Sequence, residues 1–168
     1  TSPTTTFAQF AGKNVLFDSK DVTVPTVSAN TPAASASSVA LNTALKLTLS
    51  EKVVLGSGDI LIKEGTASGT TVQTIAVNST NVTLDAAGTL ATIVKADLVK
   101  YNTQYTVVIP AGAFKDDISL NANAATNFSF TTVVNPQPVV STYSPADGSD
   151  QLATSGTLTL VMNFSEPV

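Results

Sequence analysis

The side chains in this sequence that could do chemistry are few and mostly of one kind. There is no cysteine and no histidine. A thiol nucleophile, a Ser–His pair and an imidazole ligand set are therefore all excluded. What remains is a set of 12 acidic side chains, of which Asp116 and Asp117 are adjacent. Two carboxylates can share acid–base work when their surroundings split their roles. This pair follows a Gly-Ala-Phe turn, however, where loop hydrogen bonding and solubility explain it without catalysis, and the expectation is a protein that is not an enzyme. The same oxygens could hold Ca²⁺, which takes several carboxylate and carbonyl ligands. Asp116, Asp117 and Asp59 are the foremost candidates, with Glu51 and Asp85 beside them. None falls in an Asp-x-Asp-x-Asp-Gly loop, and a solvated turn carboxylate is the competing account of each. No other cofactor is expected.

Recognition chemistry is equally sparse. The net charge is −4 with no basic cluster, so the electropositive footprint that nucleic-acid binding requires is missing. A sugar-stacking platform is poorly supplied, since tryptophan is absent and the three tyrosines are Tyr101, Tyr105 and Tyr143. Asn78, Asn81, Asn127 and Asn163 stand in Asn-x-Ser/Thr sequons, which a Ser/Thr-rich sequence also produces by chance. Apolar runs such as Val107 to Ile109 are far too short to cross a bilayer. Thr1 to Gln9 has neither the basic start nor the apolar stretch of a secretion signal.

The elements that carry these side chains read as strands. Charged residues make up 12% of the chain, about half of the roughly 25% usual in soluble proteins. Hydrophobic residues make up 43% and are patterned. Ala44 to Ser50 alternates strictly, placing Leu45, Leu47 and Leu49 on one face of a pleated strand. Asp59 to Glu64, Thr70 to Val77, Asn81 to Asp85, Gln104 to Ile109 and Asn127 to Val133 read alike. Turn formers separate them, among them Gly56-Ser57-Gly58 and Pro110-Ala111-Gly112. Many short strands at this spacing predict an all-β sandwich or barrel. One short stretch, Lys95 to Lys100, reads as about a turn of helix. The expected core comprises Val27, Val39, Leu45, Leu47, Leu49, Ile60, Ile62, Leu84, Tyr105, Val107, Ile109, Phe114, Phe128 and Phe130.

An internal repeat organises the chain. Pro25 to Ala33 returns as Pro138 to Ala146, an offset of 113 residues between Pro25 and Pro138. Leu49 to Val53 returns as Phe164 to Val168, an offset of 115 between Leu49 and Phe164. The stripe Leu45, Leu47, Leu49 thus corresponds to Leu160, Met162, Phe164. Pro136 and Pro138 mark the junction and stiffen it.

In order and spacing these segments resemble the Ig-like repeats of bacterial S-layer and other cell-surface proteins. The pattern runs through Pro25 to Ala33, Leu49 to Val53, Gly56 to Ile60, Tyr105 to Asp116 and Phe128 to Thr132. Lys52 stands where the pattern has proline, which Pro167 keeps. Ala34-Ser35 replaces the Asp-Gly that Asp147-Gly148 retains. Asp117 to Asn121 replaces Asp-x-x-Gly-Asn, so this loop is expected to differ. The resemblance implies an Ig-like antiparallel β-sandwich over residues 21–135, a partial preceding module or N-terminal strand at 1–20, and the first strands of a second repeat at 136–168.

It also implies an extracellular role at the bacterial surface. The expected function is a structural or assembly module of an S-layer, adhesin stalk or filament, whose partners are neighbouring modules or copies of itself. The other readings are a module binding a surface or cell-wall glycan or a receptor, and an accessory domain of a secreted enzyme. For the flanks two accounts stay open. The chain is a piece of a longer array, or its ends are complementary. In the second account Phe7, Phe10 and Phe17 of one copy would cover Leu158, Leu160, Met162 and Phe164 of the next, as in donor-strand complementation. Burying each of those four side chains would gain about 1.5–3 kcal/mol.

Overall fold

The computed structural model describes residues 21–146, 148, 157 and 159–165. The described strands are β1 (Val27–Thr31), β2 (Leu45–Leu49), β3 (Val53–Leu55), β4 (Asp59–Glu64), β5 (Thr71–Ala76), β6 (Val82–Leu84), β7 (Leu90–Ile93), β8 (Gln104–Ile109), β9 (Phe114–Asp116), β10 (Thr126–Thr131), β11 (Val140–Ser144) and β12 (Val161–Phe164). The alternating runs of the sequence become β2, β4, β5, β6, β8 and β10, with ends that move by up to two residues.

Two four-stranded antiparallel sheets form the sandwich, one in the order β1-β2-β7-β6 and the other β10-β8-β4-β5. A smaller ladder pairs β3 with β9. Period-two patterning explains why the sheets meet. Leu45, Leu47 and Leu49 turn inward from β2, as Ala91 and Ile93 do from β7. Ile60, Ile62, Tyr105, Val107, Ile109, Phe128 and Phe130 join them in one buried cluster from the other sheet. Tyr105 and Phe130 face each other across the β8–β10 ladder, with ring centroids 6.2 Å apart and planes tilted by 32°. Stacking of this kind adds to simple area burial. Of the expected core, Val27 and Leu84 are only half-buried, packed against the cluster from outside. Both lie on outer strands of their sheet, where one flank has no neighbouring strand.

Lys95–Lys100 is not helical. Tertiary bonds hold it as an irregular strap across one end of the sandwich. The Leu98 N–H donates to the Leu41 carbonyl at 3.1 Å, and Lys95 Nζ donates to the same carbonyl at 3.1 Å. The Gln73 amide brackets Ala96 from both sides. Leu98 is buried, and anchoring it outweighs the weak helix preference of six residues.

The loop between β1 and β2 runs beside β10, where the Val39 N–H donates to Thr131 O at 3.1 Å and the Val133 N–H to Val39 O at 2.9 Å. Thr132, buried there, donates its hydroxyl to the Lys100 carbonyl at 2.8 Å and accepts the Thr103 N–H at 3.0 Å. At the other end Gly56 approaches the turn at Gly112 so closely that a Cβ would lie 1.9 Å from the Gly112 oxygen. That is why glycine stands at Gly56.

β11 and β12 repeat the geometry of β1 and β2. In the first pair Val27, Ala29, Asn30 and Thr31 face Leu49, Thr48, Leu47 and Lys46, with a bulge after Val27. In the second, Val140, Thr142, Tyr143 and Ser144 face Phe164, Asn163, Met162 and Val161, with a bulge after Val140. Side chains repeat too. Ser28 Oγ donates to Thr48 O at 3.1 Å, and Ser141 Oγ to Asn163 O at 3.0 Å. Ser50 Oγ accepts the Thr26 N–H at 2.9 Å, and Ser165 Oγ the Val139 N–H at 3.1 Å.

Candidate functional site

The adjacent carboxylates have separate roles. Asp116 closes β9 and is 1% exposed. Its Oδ1 accepts the N–H groups of Ile118 at 2.9 Å and Ser119 at 2.6 Å, and its Oδ2 accepts that of Asn121. Its own N–H donates to Asn121 O at 3.0 Å. Burial pushes the Asp116 carboxyl upward, yet the backbone N–H groups of Ser119, Asn121, Ile118 and Leu120 together hold it below the usual range. Asp116 therefore organises a loop. Leu120 within this loop takes φ +59°, the left-handed conformation of a glycine, at the position where the family pattern has glycine.

Asp117 turns outward and pairs with Lys52 Nζ at 2.6 Å. Glu51, next to Lys52, has its Oε1 buried without a hydrogen-bond partner. Burial first, then the charges of Asp21, Asp116 and Asp117, raise the Glu51 carboxyl above its ordinary value. Asn121 Nδ2 donates to the Asp21 carbonyl at 2.9 Å, tying the entry of the sandwich to this loop. The structure thus gathers Asp21, Glu51, Asp116 and Asp117 into one acidic corner.

The other two candidates lie elsewhere. Asp59 is exposed at the start of β4, opposite Ala76. Asp85 closes the β6–β7 hairpin, accepting the N–H groups of Thr89 at 2.9 Å and Leu90 at 3.0 Å. The Leu90 bond is the main reason its carboxyl sits below the usual value; burial opposes it, and Thr89 and Gly88 add to it. Among the described residues no three carboxylates are arranged so as to hold a metal ion.

Asn123 is the polar residue that sequence reasoning passed over. It is 4% exposed. Its Oδ1 accepts the Phe114 N–H at 2.8 Å, and its Nδ2 donates to Pro110 O at 3.1 Å and Ala124 O at 2.7 Å. It latches the Gly-Ala-Phe turn. The only local signal is an asparagine three residues before a Thr-Asn-Phe strand, which many turns share.

For a small ligand the surface offers shallow grooves. Three among the described residues have volumes of about 220–250 Å³, below the roughly 300–1,000 Å³ of most ligand pockets. The groove of Val72, Gln73, Val99, Lys100 and Tyr105 contains the Lys100–Glu64 ion pair at 2.8 Å. The sequon asparagines Asn78, Asn81, Asn127 and Asn163 are all exposed.

The expected assembly residues divide in two. Phe7, Phe10, Phe17 and Leu158 lie outside the described residues. Leu160, Met162 and Phe164 are described, and they are 58%, 49% and 40% exposed. Their counterparts Leu45, Leu47 and Leu49 are 1%, 0% and 4% exposed.

No curated protein matches the chain. Among solved structures, the S-layer protein rSbsC(31-844) aligns at 20% identity and a TM-score of 0.46, covering 70% of this chain. The chain spans only 15% of the length of that protein. The model of the bacterial Ig-like domain matches residues 21–132, the span that carries both sheets, the acidic corner and the Asn123 latch. The chain belongs to the bacterial Ig-like domain family.

Proposed function

We propose that this chain is a structural module of an extracellular bacterial surface protein, serving as a spacer and assembly unit without catalysis of its own. The observation that carries this reading is the β1–β2 hairpin built twice along one chain in the same register. Repetition of a module gives length and a regular row of contacts. The prolines Pro136 and Pro138 between the two copies stiffen the connection, as suits a spacer. The low charge and the Ser/Thr-rich surface suit an extracellular setting. Side chains are spent on the fold: Asp85, Asp116, Asn123 and Thr132 each satisfy backbone groups.

The test is immunogold labelling of intact cells of the source bacterium with antibodies to residues 21–132, together with negative-stain electron microscopy of the native material. Labelled filaments, stalks or lattice on unbroken cells are expected. Labelling only after lysis overturns the reading. So does saturable binding of the module to one glycan that is lost on changing a single loop.

A further inference from the structure

We infer that the sandwich carries a mechanical clamp, the parallel ladder between residues 35–39 and 129–133, which resists tension applied along the chain. The inference deepens the proposed role and rests on it for the direction of load, since a spacer is pulled through the segments that enter and leave it.

β1 and β10 are the first and last strands of the sandwich, and they belong to different sheets. At the entry end Asn121 ties down the Asp21 carbonyl, and β1 runs from there to Thr31. The chain then crosses to the other sheet and lies beside β10, whose other edge is bonded to β8 over six residues. The new contact is parallel, with Val39 facing Thr132. Four backbone bonds build it. The Ser35 N–H donates to Ser129 O at 2.6 Å, Thr131 to Ala36 O at 2.8 Å, Val39 to Thr131 O at 3.1 Å and Val133 to Val39 O at 2.9 Å. Val39 and Thr132 are both buried, which keeps water from replacing these bonds as they stretch.

Direction decides how the ladder fails. In a parallel pair both segments point the same way. Tension draws the 33–39 segment back through β1 and draws β10 forward through Val133, so the two slide past each other along one axis. Sliding loads all four bonds together, whereas peeling the pair from one end breaks them singly. The partners stay seated meanwhile. β1 is laddered to β2, and the exit of β10 is held by the Thr132 N–H on Thr103 O at 3.0 Å and the Asn102 N–H on Val133 O at 2.9 Å. Resistance to force follows the rate of crossing the unfolding barrier, not the equilibrium stability. A few well-directed bonds therefore set it.

The chain has no cysteine, so introduced cysteine pairs can carry the handles of an optical trap on all 168 residues. Val22→Cys with Val134→Cys, both at exposed positions, pulls the clamp in shear. Ala40→Cys with Val134→Cys, also exposed, peels the same pair from its far end. Shear is expected to need a several-fold higher force. In the shear geometry Val133→Pro should lower that force, because it deletes a bond on the edge of β10 that does not face β8. Val82→Ala truncates a buried residue of β6, away from the ladder. It should lower the melting temperature and leave the force unchanged. Equal forces in the two geometries overturn the inference, as does a force that simply tracks melting temperature across the two variants. High shear resistance without surface labelling would remove the proposed role and leave the clamp; labelling with no shear advantage would do the reverse.

Discussion

Met162 lies opposite Tyr143 in β11–β12 as Leu47 lies opposite Asn30 in β1–β2. Leu47 is 0% exposed and Met162 is 49% exposed. The same backbone register therefore supports a core residue in one copy and a surface residue in the other. The difference lies in what covers them: β7 and the opposing sheet bury Leu47. Sequence pattern assigns both residues to an inward stripe, and only the neighbouring strands decide whether that stripe has an inside to face.

This pairing gives a direct comparison of two truncations. Leu47→Ala should cost about 2–5 kcal/mol, the loss on removing a fully buried leucine and leaving a cavity. Met162→Ala should stay within about 0.5 kcal/mol, as exposed positions do. Chemical denaturation of the two variants, followed by tyrosine fluorescence, measures both. A large loss for Met162→Ala would mean that β12 is covered in solution.

Leu120→Gly should stabilise the protein. A leucine at φ +59° bears a strain of roughly 1–2 kcal/mol, and glycine bears none there. The extra freedom of glycine in the unfolded chain costs about 0.5–1 kcal/mol. The net gain is about 0.5–1 kcal/mol, and because Leu120 is 56% exposed, little packing is lost. A lower midpoint in urea would show that the Leu120 side chain has a packing role.

Glu51→Gln should raise the melting temperature at neutral pH. The folded carboxyl is raised above its ordinary 4.5 by burial and by Asp21, Asp116 and Asp117. A raised carboxyl stabilises the fold only in its protonated form, and that contribution is lost as pH rises through the folded value. The advantage of Glu51→Gln should therefore shrink as pH falls through the raised folded value, and be gone below about 4.5. Differential scanning calorimetry from pH 7 to pH 3.5 gives the profile. A difference independent of pH would remove the electrostatic cause.

Asp116→Asn should act in the opposite direction. The folded carboxyl lies below the ordinary 3.8, so its stabilisation is present above that value and lost as pH falls through the lower folded one. Replacing it leaves an amide donor where the Asn121 N–H needs an acceptor. The variant should melt lower at pH 7, and the gap should narrow as pH falls below about 3.8. Asp85→Asn should follow the same profile, since its carboxyl is also depressed, chiefly by the Leu90 N–H. Thermal melts followed by circular dichroism between pH 2.5 and pH 7 decide this.

What the sequence determined by itself is whatever rests on local period, turn chemistry and inventory. Alternation of Leu45, Leu47 and Leu49 fixed β2 and its inner face, and the Gln104 to Ile109 run fixed β8 to the residue. The missing cysteine and histidine excluded thiol and imidazole chemistry before any fold was known. The two offsets between Pro25 and Pro138 and between Leu49 and Phe164 announced a second hairpin. The tertiary structure decided what depends on partners distant in sequence. Leu90 to Ile93 is too short and mixed to declare itself a strand, yet it is central because β2 and β6 bond it on both sides. Lys95 to Lys100 is a strap because Leu41 and Gln73 hold it. Asn123 became a latch because the Phe114 N–H it satisfies is buried with it, and an unpaired buried N–H costs about 1–3 kcal/mol; Asp116 became one because its own buried carboxylate finds the N–H groups of Ile118 and Ser119 in the loop that follows. Period and inventory act within a few residues, whereas burial and hydrogen-bond closure are properties of the assembled sheets.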